Sequence, residues 1–597
     1  MKVGARYLGG GRCRFSVWAP IQRSVSIKVV LPESIIISMD REERGYWCTE
    51  AHLSPKSRYF FNLEGDVDRP DPASAYQPEG VHGPSQVIER SYPWKYLGWK
   101  GIPLEEMVMY ELHVGTFTPE GTFEAIIPRL PDLLDLGVNA LEVMPVAQFP
   151  GERNWGYDGA YPFAVQSSYG GPEGFKKLID ACHGQGMSVI LDVVYNHLGP
   201  EGNYLSEFGP YFTDKYKTAW GSAVNFDGPF SDEVRNFFME NALYWLGDFH
   251  LDALRLDAVH AIYDLSAKPF LEELAEAVEA LPGRKRYLIA ESDLNDVRVI
   301  NPRDRGGYGI DAQWCDDFHH SLHALLTSER AGYYQDFGSI EDLSRAYQDG
   351  FVYAWRYSTF RKKRFGSSSA GLPGERFIVF SQNHDHIGNR LFGERLAALV
   401  SFEALKLVAG ALIISPYIPL IFMGQEYAED TPFIYFVDHS DEKLVQSVIE
   451  GRKKEFKSEG DPPDPQDPQT FLQSKIIWEK RKEGHHKALL DLYRELIRLR
   501  KAYPALSNLR KENLGIALEG DVLIIIRKHS RSDVAAVMNF AKKEASFCLD
   551  LQGKTGKKII DSSDRAWKGP GSITPDYISQ IGKFHIRPLG FVLYELF

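Results

Sequence analysis

A chain of 597 residues with 44% hydrophobic and 25% charged side chains has the make-up of a soluble globular protein, too long for one compact core, so two to four domains are expected. A formal net charge of −13 argues against non-specific binding to nucleic acid or to an anionic membrane. Five scattered cysteines (Cys13, Cys48, Cys182, Cys315, Cys548) show no CxxC spacing, which argues against a disulfide framework or a zinc site. A cytoplasmic location is therefore expected. The chain opens without the apolar run of a signal peptide, and the apolar stretch 407–414 is too short to span a bilayer.

Residues 1–93 read as short strands at 13–19, 24–30, 45–49 and 58–63, broken by Gly, Pro and charged turns, the pattern of a small β-sandwich. The Pro-rich stretch 68–87 cannot form regular helix or sheet; by itself it reads as a linker or as a segment pinned by its surroundings. From Met107 onward, short apolar strands alternate with amphipathic helices. Strands are placed at 107–114, 140–146, 188–196, 251–259, 286–291, 309–314, 376–382 and 418–423, with helices such as 173–183, 232–246, 269–280 and 402–413 between them. Eight strands in that rhythm predict a (β/α)8 barrel over 94–504. A doubly wound nucleotide-binding sheet would need a phosphate-binding Gly loop after its first strand, and His113-Val-Gly-Thr116 is not one. The eighth helix is expected at 488–501, where Leu489, Leu492, Tyr493, Leu496 and Ile497 form one stripe. Before it, 425–485 is a long excursion, read either as a functional wall or as disorder. Runs at 522–527, 534–539 and 590–596 predict a C-terminal β-domain over 505–597.

In such a barrel the working residues lie at the C-terminal ends of the strands. The third strand ends in Asp192, Asn196 and His197, and the fourth in Arg255, Asp257 and His260. The fifth ends in Glu291, and the seventh in His384 and Asp385. Arg255 and Asp257 share one face of an otherwise apolar strand; a charged pair there is either a structural ion pair or serves chemistry. Three acids from three strands, Asp257, Glu291 and Asp385, converge on one mouth and point to glycoside hydrolysis, with one carboxylate as nucleophile and one carboxylic acid as proton donor. Arg255 is expected to hold Asp257 ionised, while the apolar run before Glu291 is expected to raise its pKa.

The segments Asp192-Val-Val-Tyr-Asn-His197, Leu254-Arg-Leu-Asp-Ala-Val-His260, Ile289-Ala-Glu291 and Asn383-His-Asp385 resemble, in order, the four signature regions of the α-amylase superfamily. The resemblance extends to an N-terminal module beginning Phe15-Ser-Val-Trp-Ala-Pro20, similar to glycan-binding modules. It implies Asp257 as nucleophile, Glu291 as acid/base and Asp385 as transition-state stabiliser. His197, Arg255 and His384 are implied as contacts in the cleavage subsite, and Tyr157 in Trp155-Gly-Tyr-Asp-Gly159 as the platform beneath the sugar. Within the superfamily, five further segments are similar to the maltooligosyltrehalose trehalohydrolases: 69–85, 110–117, 316–320, 383–390 and Thr431-Pro-Phe433 with Asp438-His439. Such enzymes release trehalose from a maltooligosaccharide, work beside a companion that makes maltooligosyltrehalose, and need no cofactor. The resemblance also favours packing of 68–87 on the barrel. The alternative is a glycogen branching enzyme, which typically carries a second acid after the acid/base, where this chain has Ser292.

Asp316, His319, His320 and His323 suggest a metal site, but no fuller ligand set accompanies them. Asn196 resembles a calcium ligand of some amylases, yet 198–231 holds no dense Asp/Asn cluster, and no metal is expected. Arg361-Lys-Lys-Arg364 reads as a solvated basic loop, with a place near the substrate open. Arg390 is expected either in a neighbouring subsite or at the surface. A non-catalytic glycan-binding or transporter-associated relative would lose one of the three acids or add a membrane span, and this chain does neither.

Overall fold

The computed structural model describes every residue except 1, 457–459, 550, 552 and 581. Each of the eight expected barrel strands is present: β1 (Met109–Leu112), β2 (Ala140–Val143), β3 (Ser188–Val193), β4 (Ala253–Leu256), β5 (Tyr287–Ala290), β6 (Ala312–Trp314), β7 (Phe377–Val379) and β8 (Ile418–Phe422). They pair in parallel in chain order, and β8 closes the ring on β1. Helices Gly171–Gly184, Ser231–Asp248, Phe270–Glu279, Phe402–Ile414 and Gly484–Ala502 lie between or after them.

Side-chain alternation along these strands stacks two layers inside the barrel. Met109, Ala140, Ile190, Ala253, Ile289, Ile378 and Leu420 belong to an apolar lower layer. Two residues further along, the same faces present Glu111, Glu142, Asp192 and Arg255, all buried. The barrel is therefore greasy at the base and charged towards its mouth.

The N-terminal region folds as two antiparallel sheets. One joins Gly4–Gly9, Arg12–Trp18, Tyr46–His52 and Asp40–Arg41; the other joins Ile35–Ser38, Val25–Leu31, Arg58–Leu63 and Val67–Arg69. Edge strands Gly4–Gly9 and Ile35–Ser38 were not among the sequence expectations, because their outer residues are exposed and the apolar alternation is faint.

The stretch 68–87 is not a linker. The Tyr59 hydroxyl donates to Asp71 (2.5 Å), the Ser85 hydroxyl to Gln77 (2.7 Å) and the Tyr161 hydroxyl, from the barrel, to the Val81 carbonyl (2.8 Å). Its polar groups are satisfied inside the protein, which fastens the N-terminal sheets to the barrel. At the other end, a six-stranded sheet runs in the order Leu514–Glu519, Val522–Arg527, Asp533–Asn539, Phe591–Leu596, Gly556–Asp561, Tyr577–Ile578. Buried Arg527 docks it by donating to the Ile414 and Ser415 carbonyls (both 2.9 Å), capping the open end of helix Phe402–Ile414.

The described residues of the tract 425–485 form more than a loop, with helices Glu442–Glu455 and Pro468–Gln473. It packs on the loops after β1, β2 and β7: Trp478 Nε1 donates to the Phe117 carbonyl (2.7 Å), Arg153 to Asp438 (2.7 Å) and Arg452 to the Gly388 carbonyl (3.2 Å).

At the base of β4, buried Asp252 accepts from Trp99 Nε1 (2.8 Å), Arg284 Nε (2.9 Å) and the Val189 amide (2.8 Å), and its Oδ2 lies 2.9 Å from His183 Nε2. Burial opposes its charge, but His183 and Arg284 outweigh it and hold the carboxyl below the usual range. Its stabilising effect is thus complete above the unfolded value of about 4 and is lost as pH falls through the lower folded value. Asp252→Ala is expected to cost about 3–5 kcal/mol in denaturant unfolding at neutral pH, since it strands the buried Arg284 guanidinium; a loss under about 1 kcal/mol would show the cluster to be dispensable.

Candidate active site

The mouth is organised by Arg255, which is 1% exposed. Its Nη1 donates both to Asp192 Oδ2 on β3 and to Asp257 Oδ1 just past β4, each at 2.8 Å. Its Nη2 lies 3.8 Å from Glu291 at the end of β5, and its guanidinium sits 4.2 Å over the ring of Trp314 on β6. One cation thus serves carboxylates from three adjacent strands.

Asp257 is positioned from both sides. Asn196 Nδ2 donates to its Oδ2 (2.8 Å) and to its backbone carbonyl (2.9 Å), and its own amide donates to the Val193 carbonyl (3.0 Å). The next residue, Ala258, is left-handed (φ 39°), an uncommon conformation for a residue with a Cβ, and this turns the chain sharply away from the mouth. Burial works against the charge of Asp257, but Arg255 and His197 outweigh it and keep the carboxyl below the usual range.

Glu291 has the opposite environment. The Ala258 amide donates to its Oε2 (2.6 Å), while Oε1 makes no hydrogen bond among the described residues. Burial, reinforced by Asp257, Asp316 and Asp385, pushes its carboxyl well above the usual range despite Arg255. The site therefore pairs an ionised carboxylate with a neutral carboxylic acid beside the same guanidinium, the division of labour that glycosidic cleavage requires.

Asp385 lies in the short helix His384–Gly388 after β7. Its side chain is half exposed, and its Oδ1 accepts from Asn389 Nδ2 (3.1 Å). His384 bonds through Nδ1 to Glu111 and through Nε2 to the Tyr157 hydroxyl (2.8 Å), which in turn donates to Asp192 (2.6 Å). Because that hydroxyl gives its proton to Asp192, it accepts from His384, so both imidazole nitrogens carry hydrogen. Burial opposes this charge, but Glu111 outweighs it and raises the His384 pKa. Tyr157 also stacks on His384 (22° between planes). His197 Nε2 meets the Tyr157 carbonyl (3.0 Å), and its ring stacks on the half-exposed Trp220.

The structure thus brings Asp257, Glu291, Asp385, Arg255, His384, Tyr157 and His197 to one mouth. His260 lies on the 3-10 turn Val259–Ala261 beside it, its buried Nδ1 without a hydrogen-bond partner among the described residues. Arg390 donates to Glu329 (2.9 Å), with its Nε 3.6 Å from Glu394. Glu111 was not anticipated as a site residue; its signal is a charge on the short apolar strand Met109–Leu112. Arg361 is not simply solvated: it donates to Asp293 (2.9 Å), two residues past Glu291. No group of three or more His, Cys, Asp or Glu among the described residues is arranged to hold a metal. His319, for example, meets the Ser381 carbonyl and the Tyr334 hydroxyl with its two nitrogens.

An eight-stranded parallel barrel with paired carboxyls of opposite ionisation at its mouth defines an α-amylase-type glycoside hydrolase. In agreement, the alpha amylase catalytic-domain family matches residues 82–220. The malto-oligosyltrehalose trehalohydrolase of Saccharolobus solfataricus is 49% identical over 87% of this chain and 91% of its own, and that of Rhizobium sp. is 42% identical over 91% and 93%. A crystal structure described as an alpha amylase of Salmonella typhimurium superposes with a TM-score of 0.90 at 37% identity, covering 100% of this chain and 99% of that one. The chain belongs to the malto-oligosyltrehalose trehalohydrolase family.

The two shifted carboxyls predict a bell-shaped pH profile of kcat/KM. Activity falls on the acid side as Asp257, below the usual range, takes a proton, and on the alkaline side as Glu291, above it, loses one. Glu291→Gln is expected to lower kcat by about 10²–10⁴ and to erase the alkaline limb. An alkaline limb that survives in Glu291→Gln would assign the proton donor elsewhere.

Proposed function

We propose that the protein hydrolyses the α-1,4 bond beside the trehalose end of maltooligosyltrehalose with retention of configuration. Asp257 attacks the anomeric carbon and forms a glycosyl-enzyme ester. Glu291 first protonates the leaving oxygen through Oε1 and then, as the carboxylate, takes a proton from the water that hydrolyses the ester. Asp385 stabilises the distorted ring; Tyr157 forms the floor; His197, His384 and Arg255 hold the reacting sugar, with His260 and Arg390 as outer contacts. The observation that carries the reaction type is the placement of two carboxyls from neighbouring strands, Asp257 and Glu291, at 2.8 Å and 3.8 Å from one buried guanidinium. The substrate rests on the relatives' names.

No helix among the described residues is long and apolar enough to cross a membrane. We place the enzyme in the cytoplasm, in trehalose biosynthesis, downstream of an enzyme that makes maltooligosyltrehalose. Boundaries near 93 and 504 divide an N-terminal β-sandwich, the barrel and a C-terminal β-domain.

Separate incubation with maltooligosyltrehalose and with amylose tests the reading. Free trehalose from the first, with α-anomeric product at the new reducing end by NMR, is the expected result. New α-1,6 branches from amylose without trehalose release would instead identify a branching enzyme, despite Ser292.

A further inference from the structure

One carboxyl at the barrel mouth has no task in this scheme. Asp316 follows β6 and opens helix Asp316–Thr327; its side chain is 21% exposed and makes no hydrogen bond among the described residues. The Nε2 of His386 lies 3.7 Å from it, beyond hydrogen-bond reach, and the other nitrogen of buried His386, Nδ1, has no hydrogen-bond partner among the described residues. Two polar side chains with unspent hydrogen-bonding capacity thus stand side by side against the site.

We propose that Asp316, backed by His386, is a specificity-determining residue that hydrogen-bonds the hydroxyls of the departing sugar and so favours a sugar over other leaving groups. This rests on Glu291 as proton donor. The reacting ring is bracketed by Tyr157 after β2, His197 after β3, Asp257 after β4 and His384 after β7. The scissile oxygen must meet Glu291, so the departing sugar lies on the β5–β6 side, where Asp316 stands.

The groups that influence it are mostly acidic: Asp293 and Glu291 after β5, Asp385 after β7 and Asp317 on its own helix, with Arg255 on β4, Tyr333 in the turn Gly332–Asp336 and His386 completing the set. Burial, then Asp293, Asp385 and Asp317, push its carboxyl up to about 8. At neutral pH it therefore offers one donor and one acceptor, which matches a sugar hydroxyl that both gives and takes a hydrogen bond. A plain ion pair with His386 does not account for the site, because burial and the neighbouring His320 and His323 hold His386 well below its usual pKa.

The test compares two substrates with the same glycone: maltotriosyltrehalose, whose leaving group carries hydroxyls, and 4-nitrophenyl α-maltotrioside, whose leaving group has none to pair. The ratio of their kcat/KM values is read for the wild type, Asp316→Ala and Asp316→Asn. In Asp316→Ala the ratio is expected to fall about 10- to 100-fold, the effect of one or two lost hydrogen bonds. Asp316→Asn, which keeps a donor and an acceptor, is expected to hold it within about threefold of wild type. A ratio unmoved in Asp316→Ala, or loss of both activities together in both variants, overturns the proposal. A wild type that releases no trehalose would overturn the functional reading instead.

Discussion

A guanidinium buried to 1% exposure between two carboxylates and a third carboxyl is the constraint on which the site depends. Removing such a cation from water costs several kcal/mol, and only closely placed anions with good geometry offset that cost. Arg255 therefore fixes where Asp192 and Asp257 must be, and its longer reach to Glu291 sets how far that carboxyl stands from Asp257. The asymmetry of these distances is chemically useful: the two anions at 2.8 Å share most of the positive charge, and the carboxyl at 3.8 Å shares little of it. The nearer carboxyl, Asp257, is held below the usual range, and the farther one, Glu291, where burial and the neighbouring acids prevail, is pushed above it.

From Arg255 the hydrogen bonds run on through Asp192, Tyr157 and His384 to Glu111 on the first strand. His384 donates outward to Glu111 and to Tyr157, while Tyr157 and Arg255 both donate to Asp192, so the two acceptor carboxyls, Glu111 and Asp192, set the orientation of the chain. Buried networks of this kind are costly when partly satisfied and rigid when complete. Here the rigidity falls on Tyr157, whose ring is stacked on His384.

Much of this was legible in the sequence because strand alternation is local. Arg255 and Asp257 announce themselves as charges on one face of Ala253–Leu256 and its continuation, and Glu291 by the apolar run before it. Glu111 is equally visible as a charge, but its partner His384 lies 273 residues away and meets it only because β8 closes on β1 and β7 lies next to β8. Arg361 misled for a similar reason: a basic run looks solvated until the hairpin Ala354–Ser358 and Lys363–Gly366 carries it to Asp293. The segment 68–87 is the sharpest case, since its prolines exclude regular structure and only its hydrogen bonds show that it is pinned.

That pinned segment alters what the N-terminal sheets can do. Val81 is held by the barrel's Tyr161, and His82 meets Tyr204 and Glu201 in the loop after β3; Glu201 in turn contacts His439 and Ser440 of the long tract before the last barrel helix. A module moored at so many points is no tethered scout that samples glucan independently and delivers it by swinging. It is built in as masonry, a fixed shoulder set against the loop after β3 and the tract before the last barrel helix.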